Sequence, residues 1–235
     1  ARAPCCARSS DAVSEGPSSP LEALGALASQ EVEIADGLRH GEVYTLGGLL
    51  TMLWHGDPTA ERVVLMCGGA MGGLLGPAGG LYHELGTRFA AAGIGTVRVG
   101  YRCANDLDTC THDLLATAEL AARHGARRFV TVGHSFGGAV AIRAAVALGG
   151  DCAGVAALST QSAGCENAAA LGATPLLLLH GDKDELLPPE TSFMVQALAG
   201  TGEVVVLSGT GHLLAEAGAE LRERLGTWIP ERFAS

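Results

Sequence analysis

The sequence predicts an α/β protein built on a mostly parallel, twisted sheet with helices on both faces. Three observations predict it. First, short apolar runs rich in Val, Leu and Ile alternate with longer stretches of helical periodicity along most of the chain, the pattern of βαβ units with right-handed crossovers. Second, the run Val130-Thr131-Val132 ends in Gly133-His134-Ser135-Phe136-Gly137-Gly138 and passes straight into an Ala-rich helical stretch. That order reads as a strand, a very tight turn and a helix, with a serine at the apex. Third, 235 residues at 48% hydrophobic and 17% charged supply one sizeable core. Aromatics are only 4%, so Ala, Leu and Val must build that core.

Residues 1–30 read as a flexible leader or processed segment, and 31–235 as the domain. The first 20 residues are rich in Ala, Ser, Pro and Cys and lack the apolar region of a secretory signal. A short amphipathic helix is expected over 21–28. From there, 40–46 and 49–55 form two strands joined by Gly47-Gly48, a two-residue hairpin signal. Val63–Cys67 is a continuous apolar run, as a strand buried on both faces should be. It opens into a loop of small residues, Gly68-Gly69-Ala70-Met71-Gly72-Gly73. A helix over 78–92 stops at Gly93, strand 94–99 follows, and helix 107–124 ends at Gly125. Strand 129–133, the serine turn and helix 136–148 come next. Strand 154–159 leads to a loop and short helix over 161–171. Strand 175–180, helix 190–199, strand 203–207 and a last helix over 213–228 complete the chain. About fifteen residues separate strands 154–159 and 175–180, an ordinary connection length, so no lid domain is expected there.

A formal charge of −10 and a pI near 5.2 argue against nucleic acid or an anionic membrane as partner. No apolar run approaches the roughly 20 residues that span a bilayer. The seven cysteines, an odd set without a Cys-x-x-Cys pair, read as reduced thiols. A cytoplasmic or organelle-lumen setting follows.

The serine turn carries the chemistry. Gly133 and Gly137 flank the apex because a side chain at either place would collide with the neighbouring strand or helix as the chain reverses. The helix begins at the next residue, so the N–H of Phe136 and the positive helix end face any oxyanion formed at Ser135. Two later loops leave strand ends, His180-Gly181-Asp182-Lys183-Asp184 and Ser208-Gly209-Thr210-Gly211-His212. His212 sits at a carboxyl strand end, where open α/β sheets place their sites. The alternative for Ser135 is a structural turn whose serine caps the helix.

From these residues the chain resembles the α/β-hydrolase superfamily over roughly residues 40–229, with Ser, Asp and His in the order of that fold. In size and layout it is similar to the small lidless carboxylesterase and dienelactone-hydrolase-like members. The resemblance implies Asp184 as the acid, with Asp182 the rival that hydrogen-bonds the loop backbone. It also implies a second oxyanion donor in the loop after Cys67, at Gly69 or Ala70. A His-Gly pair commonly opens that loop, and here Cys67-Gly68 stands in its place. Dienelactone hydrolases proper use a cysteine nucleophile, and Ser135 departs from that. The implied activity is hydrolysis of a small-molecule ester or thioester, with no cofactor or metal. The alternative from another class is a non-catalytic module of the same fold. Met71, Tyr101 and Arg102 are candidates for the pocket. His134 is expected on the far side of the elbow in a packing role, and His180 is expected to shape the acid loop. The oligomeric state is open.

Overall fold

The central strands of the sheet bury both faces because most of their positions are apolar or small, and alternation then splits each of them between two cores. In β4 (Arg62–Cys67) the side chains of Val63, Leu65 and Cys67 enter one cluster, and Val64 and Met66 enter the other. The computed structural model describes residues 19–234. Most of the expected leader, with Cys5 and Cys6, lies outside the described residues.

The other strands are β1 (Ala26–Ala35), β2 (Leu38–Thr45), β3 (Gly48–His55), β5 (Gly95–Gly100), β6 (Arg128–His134), β7 (Cys152–Leu158), β8 (Leu176–Gly181) and β9 (Glu203–Leu207). They form one sheet in the order β1-β2-β3-β5-β4-β6-β7-β8-β9. The first three strands pair antiparallel, and β4 to β9 run parallel. The helices are α1 (Pro20–Ala23), α2 (Leu81–Ala91), α3 (Leu107–His124), α4 (Phe136–Leu148), α5 (Glu190–Ala199) and α6 (Gly218–Arg232). Leu114 of α3, Ile142 of α4 and Val195 of α5 pack on one sheet face, while Leu85 of α2 and Leu225 of α6 pack on the other. The connection from β7 to β8 holds only a 3-10 turn at Ala168–Leu171, so among the described residues it places no lid over the strand ends. No helix of the described residues is long and apolar enough to cross a membrane.

Local signals place several ends as expected. Asp106 caps α3 by accepting the Thr109 N–H at 2.9 Å, and Gly125 (φ 126°) ends it. Four expectations need correction. The helix expected over 21–28 is a single turn, α1, because Gly25 (φ 59°) breaks it and the chain turns into β1. The sheet therefore begins at Ala26, before the expected boundary at Glu31. Its signal was the pair Asp36-Gly37, a two-residue hairpin turn closing Ala35 against Leu38. The next hairpin turns at Leu46-Gly47, because Gly48 pairs with Thr45 inside the ladder. Finally, the last helix starts at Gly218. Leu214 is held at φ 56° with its N–H on the Gly211 carbonyl, so 212–217 forms a turn first.

Strand β4 lies between β5 and β6, so the chain leaves it in opposite directions on its two sides. The loops after β4 and β6 thus part at the carboxyl edge of the sheet and leave a crevice there.

Candidate active site

Ser135 stands at that crevice. Its backbone has φ 58° and ψ −122°, a region costly for a residue with a Cβ. Its N–H donates to the Leu158 carbonyl at 2.8 Å, and its own carbonyl accepts from Gly138 N–H at 2.9 Å. Close backbone contacts hold this turn. A Cβ at Gly133 would lie 1.8 Å from the Gly137 carbonyl oxygen, and one at Gly137 would lie 2.2 Å from that of Gly68. The two glycines serve different contacts: one lets the elbow close on itself, the other lets the loop after β4 press on α4.

The loops after β8 and β9 are locked together. A Cβ at Gly181 would sit 2.0 Å from the Thr210 oxygen, and Lys183 N–H donates to that oxygen at 2.9 Å. Of the two carboxylates in the first loop, Asp184 meets the histidine: its Oδ2 lies 2.7 Å from His212 Nδ1. Asp182 instead accepts the Gly209 N–H at 2.6 Å, tying down the turn after β9. The Asp184 side chain has no exposed surface. Its Oδ1 accepts the N–H groups of Leu186 and Leu187 at 2.9 and 2.8 Å. Burial pushes this carboxyl up, but the hydrogen bonds from Leu187, His212 and Leu186 outweigh it and hold it below the usual aspartate range. An ionised Asp184 assigns the proton of His212 to Nδ1 and leaves Nε2 as the free base.

His180 supports the carboxylate from below. It is fully buried, with Nε2 3.2 Å from Asp184 Oδ2 and 3.0 Å from the Leu187 carbonyl, while Nδ1 meets Ser192 Oγ at 2.7 Å. Two acceptors at Nε2 put its proton there, and burial lowers its basicity so that it stays neutral.

His134 is not on the far side of the elbow. Its Nε2–H donates to the His212 carbonyl at 2.9 Å, and the two rings stand 4.9 Å apart. Burial pushes its imidazole down to about 4, so it is a neutral latch between the elbow and the β9 loop. Its place beside Ser135 was visible in the sequence, but its partner comes from 78 residues away. Glu185 adds a second tie, accepting the His212 N–H at 3.2 Å.

Ser135, His134 and His212 line one cleft of about 410 Å³ with the loop Gly68–Gly76, Leu186 and Leu213. Ser135 and His212 share this cleft, and a serine–histidine hydrogen bond of this kind commonly tightens only with substrate in place. Gly69 faces the serine, since a Cβ there would stand 3.5 Å from Ser135 Cβ. Gly69 pairs with Gly72 in an isolated antiparallel bridge, with the Gly72 N–H on the Gly69 carbonyl at 2.9 Å, so this turn fixes the direction of the loop backbone beside Ser135.

The loop is fastened from beneath by side chains that its own sequence does not announce. Tyr82 of α2 donates its hydroxyl to the Cys67 carbonyl at 2.9 Å, and Tyr101 donates to that of Gly68 at 2.9 Å. Arg98 donates to Leu74 O at 3.1 Å. Cys67 itself is fully buried, its Sγ 3.4 Å from the Gly137 carbonyl, and burial pushes its thiol up to about 12. It packs the elbow against the loop and is no nucleophile. All five described cysteines are free thiols.

Of the pocket candidates, Met71 lines the cleft, whereas Tyr101 and Arg102 do not. Tyr101 lies under the loop with its ring edge-on to Phe136. Arg102 is committed to Asp113, with its backbone N–H on Asp113 Oδ2 at 2.8 Å and its guanidinium on Oδ1, and it also meets His112. Helical periodicity marks Tyr82 only as core, and nothing in the sequence announced where its hydroxyl goes.

No family model matches the chain, and no curated protein resembles it in sequence. Solved structures do. Est1E from Butyrivibrio proteoclasticus superposes with a TM-score of 0.70 at 16% identity, over 83% of this chain and 99% of its own. A dienelactone hydrolase from Anabaena variabilis gives 0.67 at 15% identity over 86% and 98%. The 2-hydroxy-6-oxo-6-phenylhexa-2,4-dienoate hydrolase of a Rhodococcus strain gives 0.63 at 16% over 84% and 100%. With its strand order, its elbow and these neighbours, the chain has the fold of the α/β-hydrolase superfamily.

Proposed function

We propose that this protein is a serine hydrolase that cleaves a carboxylic ester or thioester through an acyl-enzyme on Ser135. The observation that carries the proposal is the 2.7 Å Asp184–His212 contact beside a strained serine in the same cleft. Asp184 keeps the His212 proton on Nδ1, so Nε2 can take the Ser135 proton as Oγ bonds to the substrate carbonyl carbon. The carbonyl oxygen becomes an oxyanion, received by the N–H of Phe136 and by that of Gly69 or Ala70. His212 then returns the proton to the departing alcohol or thiol as the carbon–oxygen or carbon–sulfur bond breaks. Water, deprotonated by His212, attacks the acyl-enzyme, releases the carboxylic acid and restores Ser135. The cycle consumes only water and needs no cofactor. The neighbours that are named as hydrolases support this chemistry class.

A fluorophosphonate probe followed by peptide mass mapping tests the proposal. One adduct per chain on Ser135, absent from Ser135→Ala, is expected. No adduct in folded protein would refute it and favour a non-catalytic role for the same fold.

A further inference from the structure

Resting on that reading of the site, we propose that its substrates are esters whose acyl part is apolar and uncharged, seated on a rim of four exposed side chains. Met71, Leu75, Leu186 and Leu213 are exposed by 94, 65, 68 and 63%, and all four line the mouth of the Ser135 cleft. They come from three separate loops, following β4, β8 and β9. Scattered surface apolar residues are ordinary, but their convergence on one cleft from unconnected segments marks a contact surface. The cleft floor is glycine backbone, and its lining holds no aspartate, glutamate, lysine or arginine.

The surrounding charge has one sign. Asp182, Glu185 and Glu216 turn carboxylates onto the N–H groups of Gly209, His212 and Gly211 at 2.6, 3.2 and 3.2 Å. Three carboxylates thus ring the His212 loop. Nearby cations are withheld: Arg98 is 3% exposed beneath the loop, Arg102 is paired with Asp113, and Lys183 stands outside the cleft wall. A substrate carboxylate would meet apolar groups and negative charge, whereas a hydrocarbon chain would cover exposed leucine and methionine. Among the described residues no lid covers the rim, so each methylene is only partly removed from water. A methylene fully removed is worth roughly fourfold in an equilibrium, and one half covered about twofold.

The test is kcat/KM for p-nitrophenyl acetate, butyrate and hexanoate and for a p-nitrophenyl hemisuccinate, in wild type and in Leu186→Ser/Leu213→Ser and Met71→Ser/Leu75→Ser. These positions are exposed, so the changes leave the core intact. The expected result is a rise of about twofold per methylene, a hemisuccinate about tenfold poorer than butyrate, and a hexanoate-to-acetate ratio of about 16 that falls about fourfold in each double variant. A flat chain-length series, or a ratio unchanged in both variants, would overturn the proposal and assign the rim to contact with another macromolecule. Wild type that hydrolyses none of these esters and leaves Ser135 unlabelled overturns the hydrolase reading itself, a distinct result.

Discussion

Replacing Asp184 by Asn separates the two carboxylates of the acid loop. Asp184 accepts four donors: two backbone N–H groups on Oδ1, and His212 and His180 on Oδ2. An amide of the same shape has one oxygen to give. Turned toward Leu186 and Leu187, it leaves its NH2 facing two imidazoles. Turned the other way, it sets the NH2 against backbone donors that have no other tautomer. The first orientation wins, and His212 must then present an unprotonated Nδ1 and carry its proton on Nε2. In that tautomer it has no lone pair for the Ser135 proton. The expected fall in kcat is about 10⁴-fold, or about 5.5 kcal/mol of barrier. Asp182→Asn is the contrast: it accepts only from the turn after β9, mainly the Gly209 N–H, and an amide oxygen still serves, so activity should stay within about tenfold. The assay is kcat/KM on p-nitrophenyl acetate with the labelling rate at Ser135, beside urea unfolding to show that both variants are folded. An Asp184→Asn enzyme retaining more than about a tenth of activity, or a larger loss in Asp182→Asn, would refute the tautomer argument.

Three further outcomes follow from the same contacts. Gly133→Ala would place a methyl 1.8 Å from a backbone carbonyl and should cost upwards of about 4 kcal/mol in urea unfolding, whereas Gly226→Ala meets only the guanidinium end of Arg88, which can swing aside, and should cost less; equal losses would contradict this. Tyr82→Phe and Tyr101→Phe each leave a loop carbonyl without its donor, so each should lose about 1–3 kcal/mol of stability and lower kcat more than it raises KM; an unchanged kcat would show that the loop holds itself. Burial pushes the imidazoles of His55 and His134 down to about 4 from about 6.5, so the unfolded chain binds protons first as pH falls. The stability these neutral rings contribute is fully present above pH 6.5 and is lost toward pH 4, by up to about 3 kcal/mol each. Urea midpoints measured between pH 7 and 4.5 should fall, and fall less steeply in His55→Gln; a flat wild-type profile contradicts the burial.

Much of the fold is legible because its determinants are local. Helices α3, α4 and α5 have the expected bounds, set by Asp106, by Gly125 and by the abrupt change from period two to period 3.6 after Val132. Strand β1 escaped because half of its six apolar residues are alanines and its whole length is exposed, so no burial pattern marks it. The last helix was expected five residues early because Leu213 and Leu214 continue its periodicity, while the turn that delays it depends on Leu214 adopting φ 56°.

The sequence by itself determined the αβ alternation, the serine at a strand-to-helix turn, and the order in which Ser135, Asp184 and His212 follow. Each depends on residues adjacent in the chain or on strand ends that a parallel sheet must align. Only the tertiary structure decided which carboxylate meets His212, that His134 turns toward it, and that Tyr82, Tyr101 and Arg98 fasten the glycine loop. It also decided that Arg102 is spent on Asp113 and that four apolar residues from three loops share one rim. Those outcomes depend on atoms tens of residues apart brought within about 3 Å, a scale set by hydrogen-bond length and close packing. No periodicity encodes them, because the partner of each group is chosen by the packing of whole strands and helices.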